Sequence, residues 1–190
     1  MKFFRGLLIV VAAGQLAIPA YMIHRQELTL REGRAYKFKT RPVDPYDAFR
    51  GRYVALSFEQ NQAPWPGGTQ VESARHGKAY ARIEEGTDGF AVVREVTPQP
   101  PNAGEFMKVQ VSYAGWGTNA GTMYFTMPFD RYYMEETKAP KAERAYWANN
   151  RRGQTNENTF AVVRIRNGHA ALEYLFVAGK PIAEFVREQK

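Results

Sequence analysis

The stretch "RPVDPYDAFRGRYVALSF", residues 41–58, decides the fold because it changes from turn-forming residues to the alternation of a β-strand. Its first half predicts one helical turn. The carboxylate of Asp44 can accept the free amide hydrogens of that turn, and Pro45 already has the required φ angle. Asp47 adds negative charge near the positive end of the turn, and Gly51 can end it in the left-handed conformation. We therefore expect a fixed corner that leads into a strand.

From Arg52 onward the side chains alternate with a period of two, so Val54, Leu56 and Phe58 share one face of a predicted strand. Similar short alternating runs, separated by turn residues, fill the rest of the chain. They predict the following strand pairs: "ELTLR" with "RAYKFKT" around Glu32-Gly33, Tyr80–Ile83 with Phe90–Val96, the two halves of residues 105–129 around a glycine-rich connection at Trp116, and the two runs that flank Asn167-Gly168. This pattern is typical of an antiparallel β-sandwich or barrel.

Few other elements are expected beside these strands. One short helix is predicted from about Lys141 to Asn150, and the final "PIAEFVREQK" fits either a short strand or a helical turn. The stretch "QNQAPWPGGTQVESARHGK", residues 60–78, is predicted to be an irregular loop because its prolines and glycines oppose regular structure. The fold class is therefore mainly β, with one helix inside the domain.

The amino-terminal segment has the composition of a membrane span. The run from Gly6 to Ile23 carries no charge, and at about 1.5 Å per residue it reaches roughly 27 Å, which is enough for a thin bilayer core. A cleaved signal peptide is an alternative, but Ile18 lies two positions before Ala20 and makes a poor cleavage site. A buried core helix would be shorter and amphipathic. We favour an uncleaved anchor over residues 1–25, followed by a β-rich domain over residues 26–190.

The orientation of this anchor is ambiguous from charge alone. Lys2 and Arg5 precede the apolar run, whereas more basic residues follow it, and simple counting of positive charge would place the long domain in the cytoplasm. A short basic head before a signal-like apolar run indicates the opposite, because long domains are translocated largely regardless of their charge.

Composition excludes several classes of function. The sequence contains no cysteine, so disulfides, thiolate catalysis and cysteine metal sites are ruled out. The net charge of +7 comes from basic residues scattered along the chain, which does not favour a nucleic-acid-binding face. The three histidines lack the spacing of ligands on a helix, and we expect no metal and no cofactor.

The segment "DPYDAFRGRYVALSF" resembles the signature of the GDYXXLXY family of predicted membrane-anchored bacterial proteins. The residues that match are Gly51, Tyr53 and Leu56, with Pro42, Asp44, Pro45, Phe49 and Arg50 upstream. The resemblance extends to "MPFDRYYMEE" and to "RNGHAALEYLFVAGKPI", so that it covers most of the chain. It implies a single span in the bacterial cytoplasmic membrane, an extracytoplasmic domain and a larger multi-span membrane protein as partner. It implies no established chemistry.

Two positions depart from the family signature. Arg52 stands where the family has aspartate, and Phe58 replaces the final tyrosine. A reversal of charge would destroy a carboxylate that acts as an acid, a base or a ligand. Either this chain has lost an activity that relatives have, or the aspartate is not catalytic, and we favour the second interpretation.

The segment "FDRYYMEE", residues 129–136, is the best candidate for a functional site because it concentrates charge and aromatic surface at the end of a strand. If the corner at residues 44–53 lies beside it, the two segments form a polar cluster on the rim of the domain. An internal salt-bridge network is the structural alternative. The candidate binding residues are Asp44, Asp47, Arg50, Arg52, Tyr53, Asp130, Arg131, Tyr132 and Glu135.

Two functions fit these observations. The first is a non-enzymatic, membrane-anchored domain that binds a membrane-protein partner or a component of the cell envelope. The second is an envelope hydrolase or peptidase, which needs paired carboxylates or a serine next to a lysine. The serines and lysines formally available for such a pair are Ser57, Ser73 and Ser112 with Lys78 or Lys108, although no motif links them.

Overall fold

The computed structural model describes residues 2–41, 53–66, 77–115, 120–135, 137–149 and 158–188. The elements are α1 (Lys2–Glu32), β1 (Arg34–Arg41), β2 (Tyr53–Ala55), β3 (Ser57–Phe58), β4 (Gln62–Pro64), β5 (Lys78–Glu85), β6 (Ala91–Thr97), β7 (Glu105–Ala114), β8 (Thr122–Thr126), β9 (Arg131–Tyr133), α2 (Ala139–Asn149), β10 (Phe160–Arg166), β11 (His169–Val177), β12 (Lys180–Pro181) and α3 (Ile182–Glu188). The fold is mainly antiparallel β, as predicted. The predicted helical turn at residues 44–51 and the connection around Trp116 lie outside the described residues.

Helix α1 is long and apolar enough to cross a membrane, and its apolar window is not buried by the rest of the chain. It continues through Glu32, so the strand predicted for "ELTLR" is wrong. The helical spacing explains the difference: Arg25, Thr29 and Glu32 are separated by four and three residues and therefore share one face. On that face Thr29 is buried, and the Glu32 carboxylate pairs with Arg166 at 2.8 Å. Packing against β10 and β11 thus outweighs the alternating pattern.

The first sheet has the strand order β12-β11-β10-β1-β3. Its centre is the antiparallel pair of β1 and β10, in which Phe38 lies opposite Ala161. Alternate side chains of β1 point into the core, where Tyr36 and Phe38 are buried together with Thr40. β3 continues this sheet at the edge, since Phe58 lies opposite Thr40.

The second sheet has the order β4-β8-β7-β5-β6 and curls so that β4 approaches β6. The amide of Val93 in β6 donates to Oε1 of Gln60 at 3.2 Å, which helps to close this nearly complete barrel. β4 corrects the prediction of an irregular loop, because Ala63 pairs with Met123 of β8. Pro64 is tolerated since β4 is an edge strand that needs no donor on its outer side.

The core lies between the two sheets and is rich in aromatic rings. Phe38 contacts the rings of Phe58 and Phe129 at centroid distances of 6.2 and 5.4 Å. Phe58 and Phe129 contact each other at 5.2 Å, so the three rings form a closed cluster. The single strand predicted here is divided into β2 and β3, which belong to different sheets. The inward face predicted from alternation is confirmed, because Val54, Leu56 and Phe58 are all buried.

Two short helices cover the ends of the sheets. α2 confirms the helix predicted at residues 141–150, and its Tyr146 is completely buried and donates through its hydroxyl to the carbonyl oxygen of Arg41 at 3.2 Å. α3 was predicted only as one of two alternatives. The final segment forms both, since Lys180 and Pro181 pair with β11 before the chain turns into α3.

The turn between β10 and β11 confirms the hairpin predicted from Asn167-Gly168. Asn167 and Gly168 have φ angles of 50° and 77°, as a two-residue turn of type I′ requires. The turn is also tied to the second sheet, because the amide of Lys108 donates to the carbonyl oxygen of Gly168 at 3.0 Å. A Cβ atom added to Gly168 would lie 2.7 Å from Cε2 of Phe106.

Gly168→Ala is therefore expected to destabilise the protein more than Gly179→Ala. Both glycines have positive φ angles, of 77° and 78°, and pay a similar conformational cost of about 1–2 kcal/mol when replaced. Gly179 has open space around it, whereas alanine at 168 must also displace Phe106, which adds about 1–3 kcal/mol. Chemical denaturation of both variants in detergent checks this, and equal unfolding free energies would contradict the close packing.

Candidate functional site

A two-stranded ribbon of β2 and β9 brings together the two segments in which the candidate binding residues lie. Tyr53 pairs with Tyr133, and Ala55 pairs with Arg131 in antiparallel register. The ladder continues beyond the ribbon, because the amide of Leu56 donates to the carbonyl oxygen of Asp130 at 2.8 Å. The signature segment and "FDRYYMEE" are therefore direct neighbours.

The outer face of this ribbon carries three side chains, Tyr53, Arg131 and Tyr133, which we call the Arg–Tyr surface. The guanidinium of Arg131 lies over the ring of Tyr53, with its Cζ atom 5.1 Å from the ring centroid. The rings of Tyr53 and Tyr133 meet edge to face at 5.6 Å. A hydrogen bond to Tyr133, and then the charge of Asp130, raise the pKa of Arg131. These contacts hold a flat cation against two tyrosine side chains at the surface.

Two of the three residues are exposed to a ligand, and Tyr53 is partly buried beneath them. Tyr133 is 66% exposed, and the Arg131 side chain is 43% exposed. The carboxylate of Asp130 lies 3.7 Å from Nε of Arg131, and at this exposure such a pair contributes little to stability. The Arg–Tyr surface is thus preorganised by its own contacts without being covered.

The inner face of the ribbon packs on the core. Val54 is buried, and its partner Tyr132 is a partly buried residue that packs against the hydrophobic core. Burial raises the pKa of Tyr132, with a smaller contribution from Tyr174. Tyr132, which the sequence grouped with the binding residues, therefore lies behind the ribbon, and Tyr133, which was omitted, lies on the exposed face.

The other candidate residues are not all in the ribbon. The Glu135 carboxylate pairs with Nζ of Lys138 at 2.6 Å, just before α2, and this contact belongs to the start of that helix. Asp44, Asp47, Arg50 and Arg52 lie outside the described residues, so their predicted contribution to the rim stays a prediction.

Next to the ribbon lies an open cleft of about 320 Å³ between β3 and the β7–β8 pair. Its lining is rich in hydroxyl groups and aromatic rings and consists of Arg41, Leu56, Ser57, Phe58, Asn61, Ser112, Tyr113, Tyr124, Phe125, Thr126, Met127 and Asp130. Leu56 follows Ala55 of β2, and Asp130 precedes Arg131 of β9, so the cleft is continuous with the ribbon. The stacked rings of Tyr113 and Tyr124, 4.3 Å apart, form one wall.

Several polar groups of this cleft are hydrogen-bonded to one another. Nε of Arg41 donates to Oγ of Ser57 at 2.6 Å, and a guanidinium cannot take a proton from that hydroxyl. Oγ of Ser112 lies 3.1 Å from the hydroxyl oxygen of Thr126. Neither contact is a serine–lysine pair, and the hydrolase hypothesis stays a prediction. Within the described parts of the chain, no group of three or more acidic or histidine side chains is placed to hold a metal.

Comparison with known proteins assigns most of the chain to a family. Residues 15–175 match the model of the family described as GDYXXLXY protein. The match includes the last part of α1, the second sheet, the ribbon, the cleft and the first sheet apart from β12 and the end of β11. No curated protein and no solved structure matches the chain. On the strength of that match, the chain belongs to the GDYXXLXY family.

Proposed function

We propose that this protein is a membrane-anchored binding domain, held by α1 in the bacterial cytoplasmic membrane, that docks a multi-span membrane protein through the Arg–Tyr surface. The domain lies outside the cytoplasm in this proposal. The observation that carries it is the exposed ribbon face, on which Arg131 is held against Tyr53 and Tyr133 beside an open cleft.

The chemistry of this face supports binding to a protein. Arginine and tyrosine are enriched at the energetically important centres of interfaces, because they offer large contact area together with directional hydrogen bonds. Since the contacts within the Arg–Tyr surface already restrict its side chains, less conformational entropy is lost on docking. The hydroxyl groups of the neighbouring cleft can accept hydrogen bonds from an extracytoplasmic loop of the partner and can donate hydrogen bonds to it.

The basic residues of β1 are compatible with the proposed orientation. Arg34, Lys37, Lys39 and Arg41 follow the apolar run but belong to β1, a strand at the centre of the folded domain. The rule that positive charge stays in the cytoplasm applies to short loops, whereas long domains translocate largely regardless of charge. These residues therefore do not oppose an extracytoplasmic domain.

Replacement of Arg131 by alanine is expected to weaken the partner complex by at least fivefold, the effect of losing about 1 kcal/mol at an interface centre. The amount of complex is measured by cross-linking: a photo-crosslinking amino acid is placed at position 133 of the full chain in its native membrane, and the cross-linked adduct is quantified. The expected adduct contains a multi-span membrane protein and decreases in the Arg131→Ala variant.

Arg94→Ala is the matched control. Arg94, on β6, is a similarly exposed arginine that is paired with Glu84 of β5, and its loss changes the net charge equally. The control variant should give the same adducts as the parent. If Arg94→Ala reduces the adduct as much as Arg131→Ala does, or if position 133 gives no adduct with a membrane protein, the proposed docking surface is wrong.

A further inference from the structure

A second pocket, which the proposed function does not use, lies where α1 meets the turn between β10 and β11. We call it the juxtamembrane pocket; its volume is about 260 Å³. The residues that matter for its chemistry are Tyr21, His24 and Arg25 of α1 with Arg166, Asn167 and His169 of the hairpin. The pocket is thus built from two elements that are far apart in the sequence.

The position of this pocket along α1 corresponds to the level of lipid head groups. The apolar run ends at Ile23, and Arg25 follows two residues later, which is about 3 Å further along the helix axis. Head groups occupy roughly the first 5–7 Å outside the hydrocarbon core. Tyr21, at the inner end of the pocket, has the amphipathic character of residues that lie at this boundary.

The charges that line the pocket are positive. Arg25 and Arg166 are cations, and no carboxylate lies among the described lining residues. Next to the pocket, the Glu32 carboxylate pairs with Arg166 at 2.8 Å. Glu27 pairs instead with Arg31, four residues along the helix. The pocket therefore offers more positive charge than its neighbours neutralise.

The hydrogen bonds inside the pocket leave donors available for an anion. Nη2 of Arg25 lies 3.2 Å from Nδ1 of His169, and the guanidinium is 5.9 Å from the ring centroid of Tyr21. These contacts fix the orientation of a side chain that carries five N–H donors. Burial, followed by the charges of Arg25 and Lys108, lowers the pKa of His169, as expected for an imidazole among cations without a counter-ion.

We infer that the juxtamembrane pocket binds the phosphate of an anionic phospholipid head group, and this rests on the proposed insertion of α1 into the membrane. Arg25 donates to the phosphate as a planar fork, Arg166 supplies a second charge from the hairpin, and Tyr21 lies beside the glycerol region. A bound head group ties α1 to the β10–β11 hairpin and so fixes the position of the domain relative to the bilayer.

The test measures lipid retention by the full chain in nanodiscs that contain equal amounts of phosphatidylglycerol and phosphatidylcholine. Native mass spectrometry of the protein released from the nanodiscs counts the lipids that remain bound to it. The parent should retain phosphatidylglycerol selectively, Arg25→Gln should retain about fivefold less, and the double variant Arg25→Gln/Arg166→Gln about 25-fold less, since each basic residue near the surface contributes about fivefold. Arg25→Lys, which keeps the charge, should retain more than Arg25→Gln.

Arg31→Gln is the matched control, because Arg31 is a 77% exposed arginine on the same helix that pairs with Glu27. Equal losses in Arg25→Gln and Arg31→Gln would mean that only the overall charge matters, and would overturn the inference. In a second arm of the test, inorganic phosphate is added, in neutral detergent, to the protein that has retained phosphatidylglycerol. If it displaces phosphatidylglycerol at millimolar concentration, the pocket is a site for free phosphate and the lipid assignment is wrong.

Flotation of the full chain reconstituted with neutral vesicles separates this inference from the proposed function. If the parent does not float with neutral vesicles, α1 is not an anchor and the proposed function fails. If it floats but shows no preference for phosphatidylglycerol, the anchor stands and the lipid site is wrong. The unfolding midpoint of each variant, measured in the same detergent, excludes loss of folding as the cause of lost retention.

Discussion

Phe38→Ala is expected to reduce the free energy of unfolding by about 3–5 kcal/mol, the usual cost of removing a fully buried phenylalanine. Phe38 is 0% exposed and contacts both Phe58 and Phe129, so the substitution opens a cavity where β1, β3 and the segment before β9 meet. In a chain of this size the loss corresponds to a decrease in melting temperature of about 6–20 °C. Denaturation in detergent, followed by tryptophan fluorescence, measures it.

Phe90→Ala is the matched control for this prediction. The ring of Phe90 is only partly buried and contacts Phe160 at 5.7 Å, with Nζ of Lys39 4.7 Å from its centroid. Its removal should cost about 1–1.5 kcal/mol, since roughly half as much apolar surface is lost from the core. A Phe38→Ala effect no larger than that of Phe90→Ala would contradict the central position of the aromatic cluster.

The two sides of the signature segment have different roles in this structure. Leu56 and Phe58 point into the core, whereas Tyr53 is part of the Arg–Tyr surface. The same alternation therefore supplies core packing and a candidate binding face from adjacent residues. Phe58, which replaces the tyrosine of the family signature, is 4% exposed and lies in the aromatic cluster, where an apolar ring needs no hydrogen-bond partner.

Local signals in the sequence were sufficient for the hairpins and for α2. Asn167-Gly168 allows the positive φ angles of a tight turn, and this requirement acts independently of the rest of the fold. The errors occur where packing between distant segments decides the structure. Residues 27–31 are helical because α1 docks on β10 and β11, and Gln62–Pro64 becomes a strand because β8 offers a free edge.

The candidate site was predictable as a region but not as a set of side chains. Charge and aromatic content identified the segment around Arg131, whereas the choice between Tyr132 and Tyr133 depends on which face of β9 is outside. Residues two apart in a strand lie on the same face, so Tyr133 shares a face with Arg131. Once Arg131 is placed on the surface, Tyr133 follows. The cleft and the juxtamembrane pocket combine distant elements, and no local pattern contains that information.

The second large effect is expected from cysteine labelling, which is well suited to a chain without cysteine. Lys141, an exposed residue of α2, is replaced by cysteine in the full chain, and intact spheroplasts are treated with a maleimide that does not cross the membrane. If α1 crosses the membrane and the domain lies outside the cytoplasm, Lys141→Cys should be labelled almost completely without lysis.

Two further single-cysteine variants control this experiment. Lys2→Cys, before the apolar run, should be labelled only after lysis, because it lies on the opposite side of the bilayer in the proposed orientation. Val163→Cys, a replacement of similar size at a completely buried position, should be labelled only after denaturation, with or without lysis. The three variants together report orientation, membrane integrity and folding.

This labelling experiment tests most directly the central claim that α1 crosses the membrane and presents the β domain on its outer side. We predict rapid labelling of Lys141→Cys in intact spheroplasts and of Lys2→Cys only in lysed ones. Labelling of Lys141→Cys only after lysis, or recovery of the labelled chain free of the membrane and lacking its first residues, would contradict it.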